Sequence, residues 1–144
     1  MAQLEVDGLN GLLEDLEALA GLPDSVADGI LEAEADVIVQ AQREEIGRQW
    51  KGPYSEGISA GAVKKGKVKE GQAGRSITVS PQGSRKRGGK SVRNAEIAFI
   101  NEYGAPGRGI AARPAIAAAN AKAEEAAVEA GERVFNAYLE SKNL

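Results

Sequence analysis

At 144 residues the chain has the length of one domain, with room for a modest core if helices and sheet pack together. It holds no Cys and no His, which excludes disulfides and thiol catalysis and removes the commonest general base and metal ligand. The net charge of −3 conceals segregation: residues 1–45 carry twelve acids and one base, residues 46–113 fourteen bases and four acids, and residues 114–144 three bases and five acids. An acidic end and a basic middle predict head-to-tail electrostatic contact with like copies or with a partner.

The first stretch, MAQLEVDGLNGLLEDLEAL, lacks the basic start and long apolar core of a signal peptide. No apolar run approaches the roughly 20 residues that span a bilayer. The expectation is a chain that stays in the cytoplasm unless it leaves inside a larger assembly. Leu9, Leu12, Leu13, Leu16 and Leu19 have the spacing of an amphipathic helix over 8–20, ended by Gly21 and Pro23. A second helix is predicted over 25–46, capped by Asp24 or Ser25, with Val26, Ile30, Ala33, Val37 and Ala41 as its apolar stripe. Residues 51–74, rich in Gly and Lys, read as a flexible loop with a short strand near Val63–Val68.

Ile77, Thr78 and Val79 mark a strand over 75–80 that Pro81 ends. Alternation over 92–103 predicts a second strand, joined to the first through the basic connection PQGSRKRGGKS. Pro114 suits the first turn of a helix over 114–140, with a small-residue stripe at Ile116, Ala119, Ala123, Ala126/Ala127, Ala130, Val134 and Tyr138. The predicted architecture is α+β, a single domain over 1–144. Two N-terminal helices and one C-terminal helix pack on a small antiparallel sheet with a long basic hairpin.

Four constellations invite a functional reading. Gly107 to Ala112 fits GxGxxA between a predicted strand and a helix, but no second parallel strand with a ribose-binding acid follows, so it reads as an ordinary connection. Lys64, Lys65, Lys67 and Lys69, with Arg85, Lys86, Arg87, Lys90 and Arg93, form two basic tracts without interleaved aromatics. They suit an acidic protein surface better than stacked bases. Glu96 and Glu102, six apart on a strand, would lie about 20 Å apart, beyond the separation used by paired catalytic carboxylates; Glu102 is expected to pair with Arg108 or Arg113. Trp50, Pro53 and Tyr54 form an aromatic cluster that either closes the core over the second helix or anchors an interface.

EIAFINEYG (96–104), a short Gly/Arg loop and IAARPAI (110–116) resemble the signature of the small tail-completion, or head–tail joining, proteins of long-tailed bacteriophages and prophages. WKGPYSEGISAG (50–61), GRSITVSPQGSRKRG (74–88) and VRNAEIAFINEYG (92–104) resemble the middle of that family in the same order, and the likeness covers roughly 25–130. Relatives often carry a larger apolar residue where this chain has Ala115. The resemblance implies helices packed on an antiparallel sheet and a structural role without enzyme activity, cofactor or metal. It implies a ring of like subunits, expected to be hexameric, in the virion neck or tail, assembled in the bacterial cytoplasm beside neighbouring connector and tail proteins.

On this reading Trp50, Tyr54, Arg85, Lys86, Arg87, Tyr103, Arg108 and Arg113 are the candidate interface residues. Tyr103 ends a strand against the core, Gly104, Gly107 and Gly109 let the chain turn, and Arg108 and Arg113 meet the acidic helices of a neighbour. Two alternatives stay open: a nucleic-acid-binding module using the basic 64–93 region, and a small prophage regulator that binds a host protein. Membrane contact is not expected.

Overall fold

The computed structural model describes residues 22–51, 60–72 and 74–142. The expected first helix over 8–20 and Tyr54 lie outside the described residues. Among the described residues, three helices and three two-stranded antiparallel ribbons make an α+β arrangement. The order is α1 (Asp24–Gln49), β1 (Val63–Lys65), β2 (Lys69–Gly71), β3 (Gly74–Ser76), β4 (Val79–Pro81), β5 (Ser84–Arg87), β6 (Lys90–Arg93), α2 (Asn94–Tyr103) and α3 (Ala115–Ser141). None of the described helices is long and apolar enough to cross a membrane.

The body is the pair α1 and α3. On α3 the buried positions are Ala115, Ile116, Ala119, Ala123, Ala127, Ala130 and Gly131, a stripe three or four residues apart that admits close helix approach. Ala115 is fully buried, so its small size fits the tight start of this helix. The buried face of α1 is Ala27, Ile30, Leu31, Glu34, Ala35, Ile38, Val39, Gln42, Glu45 and Ile46. It is rotated from the expected stripe: Val26, Val37 and Ala41 are only partly buried, against the core edge. Three polar residues on the buried face disguised its position. No side chain caps α1; Pro23 supplies its carbonyl to Val26 and Ala27 instead.

The expected loop over 51–74 contains structure. Strands β1 and β4 pair as Val63↔Pro81 to Lys65↔Val79, and β2 and β3 as Lys69↔Ser76 to Gly71↔Gly74. Three residues, Gly66 to Val68, face two, Ile77 and Thr78, so the ribbons form one hairpin bent by a bulge. Its inner side sets Val63 and Val79 in the core with Trp50 and Ile97. A second core cluster of Leu22, Ala27, Ile30 and Leu31 sits at the other end of α1, under Val134, Phe135 and Tyr138.

The expected strand over 92–103, and its pairing with 75–80, are corrected. Only residues 90–93 are strand, paired with 84–87 as Ser84↔Arg93 to Arg87↔Lys90. The turn is Gly88-Gly89, both with positive φ, as a two-residue turn matching strand twist requires. Asn94 then begins a helix. Its buried residues, Asn94, Ile97, Ala98, Asn101 and Glu102, recur at the helical period. Three of those five are polar and the aromatics face outward, so hydrophobic alternation misled the strand reading.

Candidate functional site

Helix α2 is inverted in polarity, and the reason lies in what its buried side meets. Asn94 donates to the Gln82 carbonyl at 2.8 Å. The Asn101 amide donates back to Ile97, and its oxygen accepts from Arg113. The Glu102 carboxylate accepts the backbone N–H groups of Ile116 at 2.9 Å and Ala117 at 3.0 Å. Those are orphan donors at the start of α3, and a negative charge there also meets the positive end of the helix dipole. The Arg113 guanidinium reaches the carbonyls of Gln49 and Lys51, and the Trp50 indole donates to the Arg113 carbonyl at 2.7 Å. One arginine thereby ties together the end of α1, the end of α2 and the approach to α3.

The loop between α2 and α3 closes on itself. Ala105 and Ile110 exchange both backbone hydrogen bonds around the turn Pro106–Arg108. Gly104 has φ 75 and ψ 176, a region open essentially to glycine alone. A Cβ there would stand 2.7 Å from the Ala112 nitrogen and 2.8 Å from the Ile110 oxygen. Gly107 has open space around it.

The outer side of α2 is apolar. Phe99 is 45% and Tyr103 57% exposed, and their rings sit 4.8 Å apart, tilted by 49°. A depression lined by Arg93, Ala95, Glu96, Phe99 and Ile100 runs beside them. A second, lined by Arg87, Val92, Glu96, Ile97, Ile100 and Arg108, continues toward the basic hairpin. Arg93 pairs with Glu96 at 2.8 Å. The face is thus an aromatic strip bordered by three arginines and one acid.

Comparison with protein-family models, curated proteins and solved structures finds no match.

The structure separates the candidate interface residues into two groups. Trp50 is buried in the core and Arg113 is bound to its own chain, so both act inside the molecule. Tyr103 does not end a strand against the core; it lies on the solvent side of a helix. Arg108, Lys86 and Arg87 are exposed, and Arg85 is half-buried on β5. Glu102 pairs with neither Arg108 nor Arg113; it caps α3. The GxGxxA run offers no helix N-terminus to a phosphate, because the Glu102 carboxylate already holds those amides. Glu96, exposed, and Glu102, buried, do not share a face.

Phe99 was missed by the sequence reading. It sits five residues before Gly104 in NAEIAFINEYG, where Asn94, Asn101 and Glu102 at helical spacing were the available signal. Glu34, counted among the acids of the helices expected to meet a neighbour's arginines, is instead buried, 1% exposed, with neither oxygen hydrogen-bonded, facing Gly131 of α3. Burial pushes its pKa up to about 8. Farther along α1, Glu45 is held by Arg48, Lys122 and Gln49, which bring its pKa down to about 2.

Proposed function

We propose that the chain is a structural assembly protein of a phage or prophage particle, a subunit of a neck ring that joins head and tail or completes the tail. The observation that carries this reading is the outward aromatic strip of Phe99 and Tyr103, bordered by Arg87, Arg93 and Arg108. Large aromatics and arginine are the residue types that anchor protein interfaces. The strip is held from beneath by the Arg113, Asn101 and Glu102 bonds, so it is presented in a fixed shape at little ordering cost. The ordered run of motifs resembling the tail-completion family supports the same reading. The interface set becomes Phe99, Tyr103 and Arg108 with the basic hairpin of Arg85, Lys86 and Arg87, around a ring expected to be hexameric.

The test is electron microscopy of particles from a phage whose copy of the gene carries an early stop. Filled heads accumulating apart from tails, or tails with defective ends, are the expected result. Normal infectious particles would reject the role. The exposed lysines of the two ribbons favour nucleic-acid binding as the second reading. Duplex-DNA affinity falling steeply with log salt would support it, and no binding at low salt would remove it.

A further inference from the structure

We infer that the aromatic face of α2 docks on the outer face of α3 in a second copy of this chain; the inference deepens the assembly reading above and rests on it. The outer face of α3 lies opposite its buried alanine stripe. Ala121 and Val128 form a shallow apolar line there, with Glu124 on one side, Glu125 and Glu129 on the other and Glu132 at the end. All four glutamates are exposed. The face on α2 has the complementary layout. Phe99, Ile100 and Tyr103 form its apolar line. Arg108 borders it, and Lys90 stands on the same side of β6 as Val92, which lines the same depression as Arg108. The lengths agree as well: Ala121 to Glu132 and the 10 residues of α2 each cover about 15–17 Å of helix.

Unpaired charge marks both faces. Lys65, Arg93 and Lys122 are matched within the chain by Asp36, Glu96 and Glu45. Among the described residues, neither Arg108 nor Lys90 nor any of the four glutamates has an ion pair.

The fold selects the copy. Helix α2 binds the start of α3 through Glu102 on its buried side, whereas Phe99 and Tyr103 stand on its solvent side. An aromatic face turned from α3 of its own chain meets only a neighbour's. Because the two faces differ, the contact is heterologous, and repeated it closes into a ring or runs on as a filament. Opposite charge steers the encounter, and salt weakens it.

Charge exchange tests the pairing in the full chain. One variant carries Lys90→Glu with Arg108→Glu, the other Glu125→Lys with Glu129→Lys. All four side chains are exposed, so circular dichroism should match the parent. Sedimentation equilibrium at low salt should show the parent self-associating, and each variant about tenfold more weakly. An equal mixture of the two should recover association, because each reversed face then meets a reversed partner. Parent-like association of either variant alone, or a mixture no better than its components, would overturn the inference. So would a parent that stays monomeric at millimolar concentration.

The absence of cysteine adds a second readout. Mixed under an oxidising glutathione buffer, Ala121→Cys and Tyr103→Cys chains should link to each other in preference to themselves. Tyr103→Cys chains linking mainly to one another would overturn the inference in favour of a two-fold contact between α2 helices. No link of either kind would overturn it in favour of a different occupant. Failed pairing beside unjoined heads and tails in the early-stop phage would remove this contact alone and leave the joining role. Successful pairing beside normal particles would do the reverse.

Discussion

The α1–α3 seam and the α2 junction are built on opposite terms. The α3 side of the seam is apolar and small-residued, which lets the two long helices approach closely; the α1 side sets Glu34, Gln42 and Glu45 among its apolar residues, with Gln42 bonded to Asn120 and Glu45 to Lys122. The junction buries a carboxylate, two amides and the base of an arginine, and its cohesion comes from pairing nearly every polar atom it hides. Each region tolerates what the other does not. The seam holds Glu34 without a hydrogen bond by keeping the carboxyl protonated, while the junction gives both oxygens of Glu102 a backbone donor at the start of α3. Buried acids on one helix are thus shifted in opposite directions by their surroundings: burial raises Glu34, and bonds to Arg48, Lys122 and Gln49 lower Glu45.

Breaking the seam at Glu34 should give the largest effect. Its folded pKa lies above the unfolded value of 4.5, at about 8. The folded state therefore holds the proton more tightly, and the stability this gives is complete below pH 4.5 and lost as pH rises through about 8. The loss between those limits is about 5 kcal/mol. Glu45 runs the other way: its contribution is present above 4.5 and lost as pH falls toward 2. Urea unfolding of the parent across this range should show the decline above pH 5, and Glu34→Gln should flatten it. A parent whose stability rises from pH 5 to 8 would contradict the buried protonated acid.

The junction breaks next. Gly104→Ala forces a positive φ on a side chain and drives a Cβ into the backbone of Ala112 and Ile110. The expected cost is about 4 kcal/mol, read as a lowered urea midpoint. Arg113→Ala leaves Asn101 and the carbonyls of Gln49 and Lys51 without their donor. It should cost about 2–3 kcal/mol, and Arg113→Lys should recover less than half, because an ammonium lacks the planar fork that spans three acceptors. Full recovery by lysine would show that charge, and not the fork, holds the three elements together.

Much of the seam was legible in the chain. Ile116, Ala119, Ala123, Ala127 and Ala130 repeat at the helical period with nothing polar among them, and the observed helix follows that stripe. On α1 the helix was legible but its buried face was not, because Glu34, Gln42 and Glu45 interrupt it. The α2 region was misread as strand for the same reason carried further: its core side holds Asn94, Asn101 and Glu102 while Phe99 and Tyr103 face solvent. Hydrophobic periodicity finds buried faces only where burial is apolar. Arg113 looked like a surface cation because nothing local names its partners, which lie twelve to sixty-four residues away.

The sequence by itself determined the two long helices, the segregation of acid from base and the lack of thiol and imidazole chemistry. Those follow from local spacing and composition, which need no partner in space. Only the tertiary structure decided that Glu102 caps α3, that Arg113 is a tie within the chain, that Glu34 stays protonated and that Phe99 and Tyr103 stand outward. Each depends on donors, acceptors or solvent supplied by a distant part of the chain, and the free energy of a polar group is set by what surrounds it once folded.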